Sequence, residues 1–260
     1  MKTFLEQTIR AAGEIAKGYF AKGVNIAATK LDPDDVVSEA DKALSKFFTE
    51  KISEKYPEHG VQDEEQEDVI NPEAEYRWVV DPLDGSRNFA AGVPFWCHLV
   101  ALRRGGETVM GGVYNPISDS YFFAEKGKGA YLNGSKIKVS KQLGIDYAFG
   151  VCARAHRRSH ADLYAKVLAH FATTTKARLG NYSTMLGSCY IATGGIDFYV
   201  INGGVDHDYF APVLLCQEAG AKVTDSDGNP WQAGRSDLVM ANPALHAKIM
   251  AEISSIRDKC

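Results

Sequence analysis

The sequence predicts a mixed fold, α+β in its first half and α/β in its second. Two observations carry this. Between Trp78 and Lys138, short β-rich runs follow one another with little helix between them, and after about Gly144 strand-like and helix-like segments alternate. A third, the absence of any internal repeat, low-complexity tract or long linker, predicts that the halves share a large interface. The expected units are residues 1–143, an α+β antiparallel-sheet half, and residues 144–260, a smaller α/β half, packed closely as one.

The elements follow in chain order. Leu5, Ile9, Ala12, Ala16 and Tyr19 recur at spacings of three and four, which predicts an amphipathic helix over Phe4 to Phe20. Val37, Ala40, Leu44, Phe48 and Ile52 predict a second helix over Asp35 to Tyr56. Asp34, Asp41 and Ser45 fall on a separate polar stripe, so Asp41 is aimed away from the apolar seam. Trp78 to Val80, Cys97 to Leu102, Thr108 to Tyr114 and Tyr121 to Ala124 read as strands of an antiparallel sheet with helices on one face.

In the second half, strands are expected at Ala148 to Ala153, Lys176 to Leu179 and Asp197 to Ile201, and helices at Ala161 to Ala172 and Ser183 to Thr193. A helix near Asp208 to Ala219 ends at Gly220. Short strands at Ala221 to Thr224 and Leu238 to Ala241 precede a last helix, opened by Asn242-Pro243, that buries Leu245, Ile249 and Ile253.

With 29 basic and 33 acidic residues, the net charge of −4 offers no general attraction to nucleic acid polymers or anionic lipid. Glu6 and Arg10 interrupt any secretory signal, and no apolar run approaches the ~20 residues of a membrane span. These features predict a soluble, cytoplasmic protein. Cys97, Cys152, Cys189 and Cys216 lie in apolar stretches and read as reduced, buried small hydrophobes, and Cys260 is terminal. Phe95, Trp96, Tyr182, Tyr199 and Tyr209 read as core or interface aromatics.

The densest chemistry lies in Trp78-Val79-Val80-Asp81-Pro82-Leu83-Asp84-Gly85-Ser86-Arg87-Asn88-Phe89, where an apolar strand runs into two carboxylates, a glycine and a hydroxyl. Carboxylates at a strand's carboxyl end suit a hard divalent cation such as Mg²⁺, which takes few protein carboxylates plus substrate phosphate. Gly85 permits close approach of an anion, and the Gly85 and Ser86 amides can donate to phosphate if a helix or turn begins there. Asp-Pro and Asp-Gly also form ordinary turns, and Asp63-Glu64-Glu65, Asp35, Asp41 and Asp208 taken singly read as solvated charges or helix caps.

Taken together, these residues resemble the inositol monophosphatase family of lithium-sensitive, magnesium-dependent phosphatases over nearly the whole chain. Asp81 to Ser86 is similar to the family's Asp-Pro-(Ile/Leu)-Asp-Gly-(Thr/Ser) element, and Asp63-Glu64-Glu65, after Lys55-Tyr56-Pro57, to its Gly-Glu-Glu element. Ala192-Thr193-Gly194-Gly195-Ile196-Asp197 and the stretch from Asp208 to Glu218-Ala219-Gly220 follow in the expected order.

The resemblance implies a layered αβαβα sandwich and a phosphoric monoester hydrolase with two or three Mg²⁺ per subunit. Glu64, Asp81 and the Leu83 carbonyl would hold one ion, and Asp81, Asp84 and Asp208 a second. It implies a metal-activated water as nucleophile, helped by Glu64 and a Ser86–Asp41 pair with Asp35 in support, and phosphate held by Asp84, Gly85 and Ser86. It also implies a small-molecule phosphate ester as partner and a homodimer.

Ser86 stands where threonine is more usual, and His207 where tryptophan often precedes the aspartate. For His207 a structural or solvent-facing role and a substrate contact are both open. Val200-Ile201-Asn202 lacks the acidic residue that contacts inositol hydroxyls, so histidinol phosphate, fructose 1,6-bisphosphate and 3′-phosphoadenosine phosphate stand beside inositol 1-phosphate as substrates. The Arg154-Ala155-His156-Arg157-Arg158 cluster reads as a solvated basic face or a contact to the leaving group. Two other readings are weighed. A phosphatase using an aspartyl nucleophile, of the haloacid-dehalogenase type, expects one residue between its aspartates, whereas Asp81 and Asp84 are separated by two. A non-catalytic regulatory binding protein would keep the fold without turnover.

Overall fold

The computed structural model describes residues 1–22, 26–29, 36–154, 161–182 and 184–257. Helix α1 (Lys2–Lys22) leads to a small hairpin of β1 (Ile26–Thr29) and β2 (Val36–Ser38), then to α2 (Glu39–Lys55). The second helix therefore starts later than its periodicity suggests. Val36-Val37, a β-branched pair, enters the hairpin instead of the first helical turn.

A seven-stranded sheet is built from β3 (Gly60–Asp63), β4 (Tyr76–Asp84), β5 (Cys97–Arg104), β6 (Glu107–Asn115), β7 (Ser120–Glu125), β8 (Gly129–Leu132) and β9 (Ser135–Ile137), paired in chain order. Its pairs are antiparallel except β3–β4, which is parallel, because β3 is linked to β4 by a long excursion over residues 64–75. A five-stranded sheet takes β10 (Phe149–Arg154), β11 (Arg178–Gly180), β12 (Phe198–Asn202), β13 (Lys222–Thr224) and β14 (Asp237–Ala241) in the order β11-β10-β12-β14-β13. β10 runs parallel to β11 and β12, and β14 runs antiparallel to β12 and β13.

Apolar packing stacks these sheets with helices as α/β/α/β/α. Leu5, Ile9, Ala12 and Ala16 of α1 and Ala40, Leu44, Phe48 and Ile52 of α2 bury against Trp78, Val80, Val100 and Leu102. The opposite face of the same sheet, with Val79, Leu99, Ala101 and Val113, packs on α5 (Leu186–Ala192) and α6 (Asp206–Glu218), which also meet Val151, Tyr199 and Met240 of the second sheet. Helices α4 (Ala161–Thr174) and α7 (Pro243–Arg257) close the far side through Phe171, Leu245, Ile249 and Ile253. The first sheet thus carries helices on both faces, not one. The second covering layer, α5 and α6, comes from the second half of the chain. α6 approaches β6 closely because Gly111 has no side chain, and a Cβ there would lie 3.0 Å from Ala211 Cα.

The helix expected over Ser183 to Thr193 is shorter and begins at Leu186, after an irregular stretch whose Thr184 and Met185 serve the site described below. Asn242 Oδ1 accepts from the amides of Ala244 and Leu245, capping α7 as the Asn-Pro signal predicts. Cys97, Cys152, Cys189 and Cys216 are free and buried, while Cys260, His156, Arg157, Arg158 and Asp35 lie outside the described residues. Trp96, Tyr199 and Tyr209 are buried, as expected of core aromatics. Among the described residues no helix is long and apolar enough to cross a membrane.

Gly85 joins β4 to the short helix α3 (Ser86–Ala90) with φ 92°, in the left-handed region. A Cβ there would also meet the Phe95 carbonyl, Thr184 Cβ and Trp96 Cβ at 3.3 Å. Gly85→Ala is expected to lower stability by about 1–2 kcal/mol through the backbone alone, read as a lower urea midpoint at unchanged slope.

His246 is 1% exposed, its Nε2 lies 2.9 Å from Thr224 Oγ1, and burial with repulsion from Lys222 pushes its pKa down from 6.5 to about 4. The unfolded chain binds a proton here that the folded chain resists. This contribution is therefore complete above the unfolded value and is lost as pH falls from about 6.5 toward 4. The stability of the protein relative to His246→Gln is expected to fall between pH 7 and pH 4.5, measured by urea unfolding at both; a constant difference contradicts it.

Candidate functional site

The site is built at the carboxyl end of β4, where its pairing with β5 slips. Asp81 lies opposite Leu99, and the next paired residue, Asp84, lies opposite Cys97. Three steps on one strand match two on the other, because Pro82 has no amide for the ladder and the intervening residues bulge out. Side chains alternate along a regular strand, so residues three apart face opposite ways. The bulge inverts that parity. Leu83, which regular alternation would place with Val79 and Asp81, instead packs in the α1–α2 core beside Val80, while Cys97, across from Asp84, belongs to the α5–α6 core with Val79. Asp81 and Asp84 consequently face the same side, toward α6.

Glu64 joins them from the neighbouring strand. β3 runs parallel to β4 with Asp63 opposite Val80, and the Glu64 amide donates to the Val80 carbonyl at 3.0 Å. Asp63 turns to the α2 side and bonds Ser45, its Oδ1 accepting from the Glu65 amide at 2.9 Å. Gln66 Nε2 donates to Ser45 Oγ at 3.2 Å and to Thr49 Oγ1 at 2.8 Å. The polar stripe of α2 is accordingly not solvent-facing, because it covers this turn; Asp41 and Ser45 are both buried. Burial pushes the Asp63 carboxyl up to about 6, opposed by its hydrogen bonds to the Glu65 amide and Ser45.

The last carboxylate arrives with α6. Asp208 sits in its first turn, where Oδ2 accepts from the Val205 amide at 3.0 Å. His207, 20% exposed, places Nε2 3.6 Å from Asp208 Oδ1 and 3.7 Å from Glu64 Oε1, so it lines the cluster instead of facing solvent.

Electrostatics shows how crowded these groups are. Burial, then the charges of Glu64, Asp84 and Asp208, hold Asp81 well above the ordinary carboxylate range, and Asp81 shares a hydrogen bond with Glu64. Burial and then Asp208 push Asp84 up to about 7, opposed by hydrogen bonds from Thr184, Cys97 and the Met185 amide. Like charges in a low-dielectric site call for a counter-ion, and an all-oxygen donor set fits a hard divalent one. As they stand, however, no three or more His, Cys, Asp or Glu side chains among the described residues are placed so that they could hold a metal ion.

Asp81 Oδ1 accepts from the Leu83 amide at 3.0 Å, and the Leu83 carbonyl accepts from Ser86 Oγ at 3.2 Å. A carbonyl oxygen has two lone pairs, so accepting from Ser86 leaves one lone pair of the Leu83 carbonyl unused. Asp41 lies buried in the first turn of α2, and β2 before it packs on α3. Gly85 and Ser86 form the turn into α3, directly after Asp84.

Sequence reasoning missed the groups that hold Asp84. Thr184 Oγ1 and the Met185 amide, the latter at 2.6 Å, both donate to Asp84 Oδ2, and Cys97 Sγ approaches the same oxygen at 3.4 Å. Cys97 is buried as expected, and burial with the nearby Asp84 charge keeps its thiol protonated, hence a donor. No local signal in the sequence marks Thr184, a hundred residues from its partner.

The chain matches the model of the inositol monophosphatase family over residues 1–258. It is 30% identical over 251 residues to a protein of Mesorhizobium japonicum named inositol-1-monophosphatase, covering 95% of this chain and 93% of that one. To a protein of Neisseria meningitidis serogroup B named putative Nus factor SuhB it is 31% identical over 259 residues, covering 98% and 99%. The crystal structure of the extragenic suppressor protein suhB from Bartonella henselae superposes with a TM-score of 0.89 at 26% identity, over 97% of each chain. With the fold, the ordered motifs and this match over nearly its whole length, the chain belongs to the inositol monophosphatase family and, with it, to the phosphoric monoester hydrolases.

Proposed function

We propose that this protein is a magnesium-dependent phosphomonoesterase acting on a small phosphorylated metabolite, and that the carboxylate cluster at the end of β4 is its active site. The observation that carries this reading is the bulge that turns Asp81 and Asp84 to one face, beside Glu64 and Asp208. Glu64, Asp81 and the Leu83 carbonyl would hold one ion, and Asp81, Asp84 and Asp208 another, with two or three Mg²⁺ per subunit. When bound, the ions supply Lewis-acid stabilisation of phosphoryl charge and lower the pKa of water.

The chain's own groups do the rest. Glu64, about a quarter exposed at the edge of the cluster, accepts a proton from the attacking water, with Asp41, Ser86 and Asp35 ordering it. The first turn of a helix leaves amides without intrahelical acceptors, and those of Gly85 and Ser86 bind the phosphate oxygens beside Asp84. The substrate is a soluble phosphate ester such as inositol 1-phosphate; histidinol phosphate, fructose 1,6-bisphosphate and 3′-phosphoadenosine phosphate are the alternatives. Val200-Ile201-Asn202, which lacks an acid to meet inositol hydroxyls, argues for testing all of them. The working form is a homodimer.

Three outcomes are expected. Phosphate release from a panel of these compounds appears with Mg²⁺ and disappears with EDTA; release that persists in EDTA defeats the metal reading, and tight Mg²⁺ binding without release from any phosphate ester points to the binding-protein reading. Asp81→Asn and Asp84→Asn each abolish turnover while circular dichroism stays native, and an unchanged rate in either sinks the assignment. Millimolar lithium inhibits hydrolysis, checked by titration at fixed Mg²⁺; undiminished turnover counts against the two-ion site.

A further inference from the structure

Asp84 reaches the site from the first sheet, but the groups on its Oδ2 come from two directions. Cys97 belongs to β5, paired directly across the bulge, whereas Thr184 and Met185 belong to the stretch between β11 and α5. Thr184 is itself fixed on both sides. Its carbonyl accepts from the buried Tyr199 hydroxyl at 3.0 Å, and its Oγ1 accepts from the Leu186 amide at 3.2 Å. A hydroxyl that accepts from an amide turns its single proton elsewhere, and here that proton points to Asp84 Oδ2. The Met185 amide at 2.6 Å and the Cys97 thiol at 3.4 Å complete three donors on one carboxylate oxygen.

We infer that Thr184 is a positioning residue for the metal site: with the Met185 amide and the Cys97 thiol it holds Asp84 Oδ2, so that Asp84 offers Oδ1 alone to a divalent cation. The inference rests on the reading of Asp84 as a metal ligand. A carboxylate anchored by one oxygen cannot rotate to grip a cation with both, and one-oxygen coordination suits the strict octahedral demand of Mg²⁺ better than the looser shell of Ca²⁺. Because the anchor belongs to the second-sheet half, docking of the two sheets and orientation of this ligand become one event.

The test is calorimetric titration of Mg²⁺ into the full-length protein without substrate, beside Mg²⁺-dependent kinetics. Thr184→Val, which keeps the shape and removes the hydroxyl, is expected to weaken Mg²⁺ binding roughly 10–100-fold, the usual loss for a group that orients a ligand. Its kcat recovers at high Mg²⁺, and Thr184→Ser, which restores the hydroxyl, binds close to wild type. Wild-type affinity in Thr184→Val overturns the inference, as do equal losses in Thr184→Val and Thr184→Ser, which would show that packing and not the hydroxyl matters. Should Thr184→Val not fold, Thr184→Ala carries the same expectation. Asp84→Asn separates the two levels: if it binds Mg²⁺ like wild type, the ligand reading itself fails, whereas loss there with intact binding in Thr184→Val defeats the anchor alone.

Discussion

The arrangement depends on one irregularity in one strand. A proline in a sheet removes a ladder hydrogen bond, and Pro82 does so two residues before the end of β4. The pairing with β5 resumes a residue late, and that offset turns Asp84 to the face Asp81 already occupies. In an unbroken strand the two carboxylates would lie on opposite sides of the sheet, one in the α1–α2 core and one beneath α6. The bulge converts a sequence spacing that regular geometry would separate into a shared site, at the cost of ladder hydrogen bonds.

Like charges brought together in this way oppose folding of the site. Burial and the charges of Glu64, Asp84 and Asp208 raise the proton affinity of Asp81, burial and Asp208 raise that of Asp84, and the protein offsets part of that cost with directed donors. The Leu83 amide serves Asp81, the Val205 amide serves Asp208, and Thr184, Met185 and Cys97 serve Asp84. Each donor also fixes the orientation of the carboxylate it satisfies. A divalent cation bound at the cluster would offset part of the remaining repulsion.

The sandwich explains where those donors come from. Helix α6 lies between the two sheets, so its first turn delivers His207 and Asp208 to the end of β4, and Gly111 lets it settle close to β6. The stretch before α5 is tied to β12 through Tyr199 and thus reaches Asp84 from the other sheet. Covering the first sheet on both faces is therefore also what completes its site.

Much of this was legible in the residues themselves. The 3.6-residue rows of α1, α2 and α7, the β-rich runs of the first sheet, the buried reduced cysteines and the Asp81 to Ser86 element all follow from local pattern, because hydrophobic period and turn chemistry act over a few neighbouring residues. The parallel register of β3, the second helical cover on the first sheet, the burial of Asp41 and Ser45 and the role of Thr184 were not legible. Each depends on a partner many residues away, and side-chain identity carries no record of which distant surface will meet it. The sequence by itself determined the main helices, most of the longer strands and the inventory of acids. Tertiary structure alone decided that a bulge, a crossing helix and a far hydroxyl bring those acids to one face, since only packing across the sandwich can set that geometry.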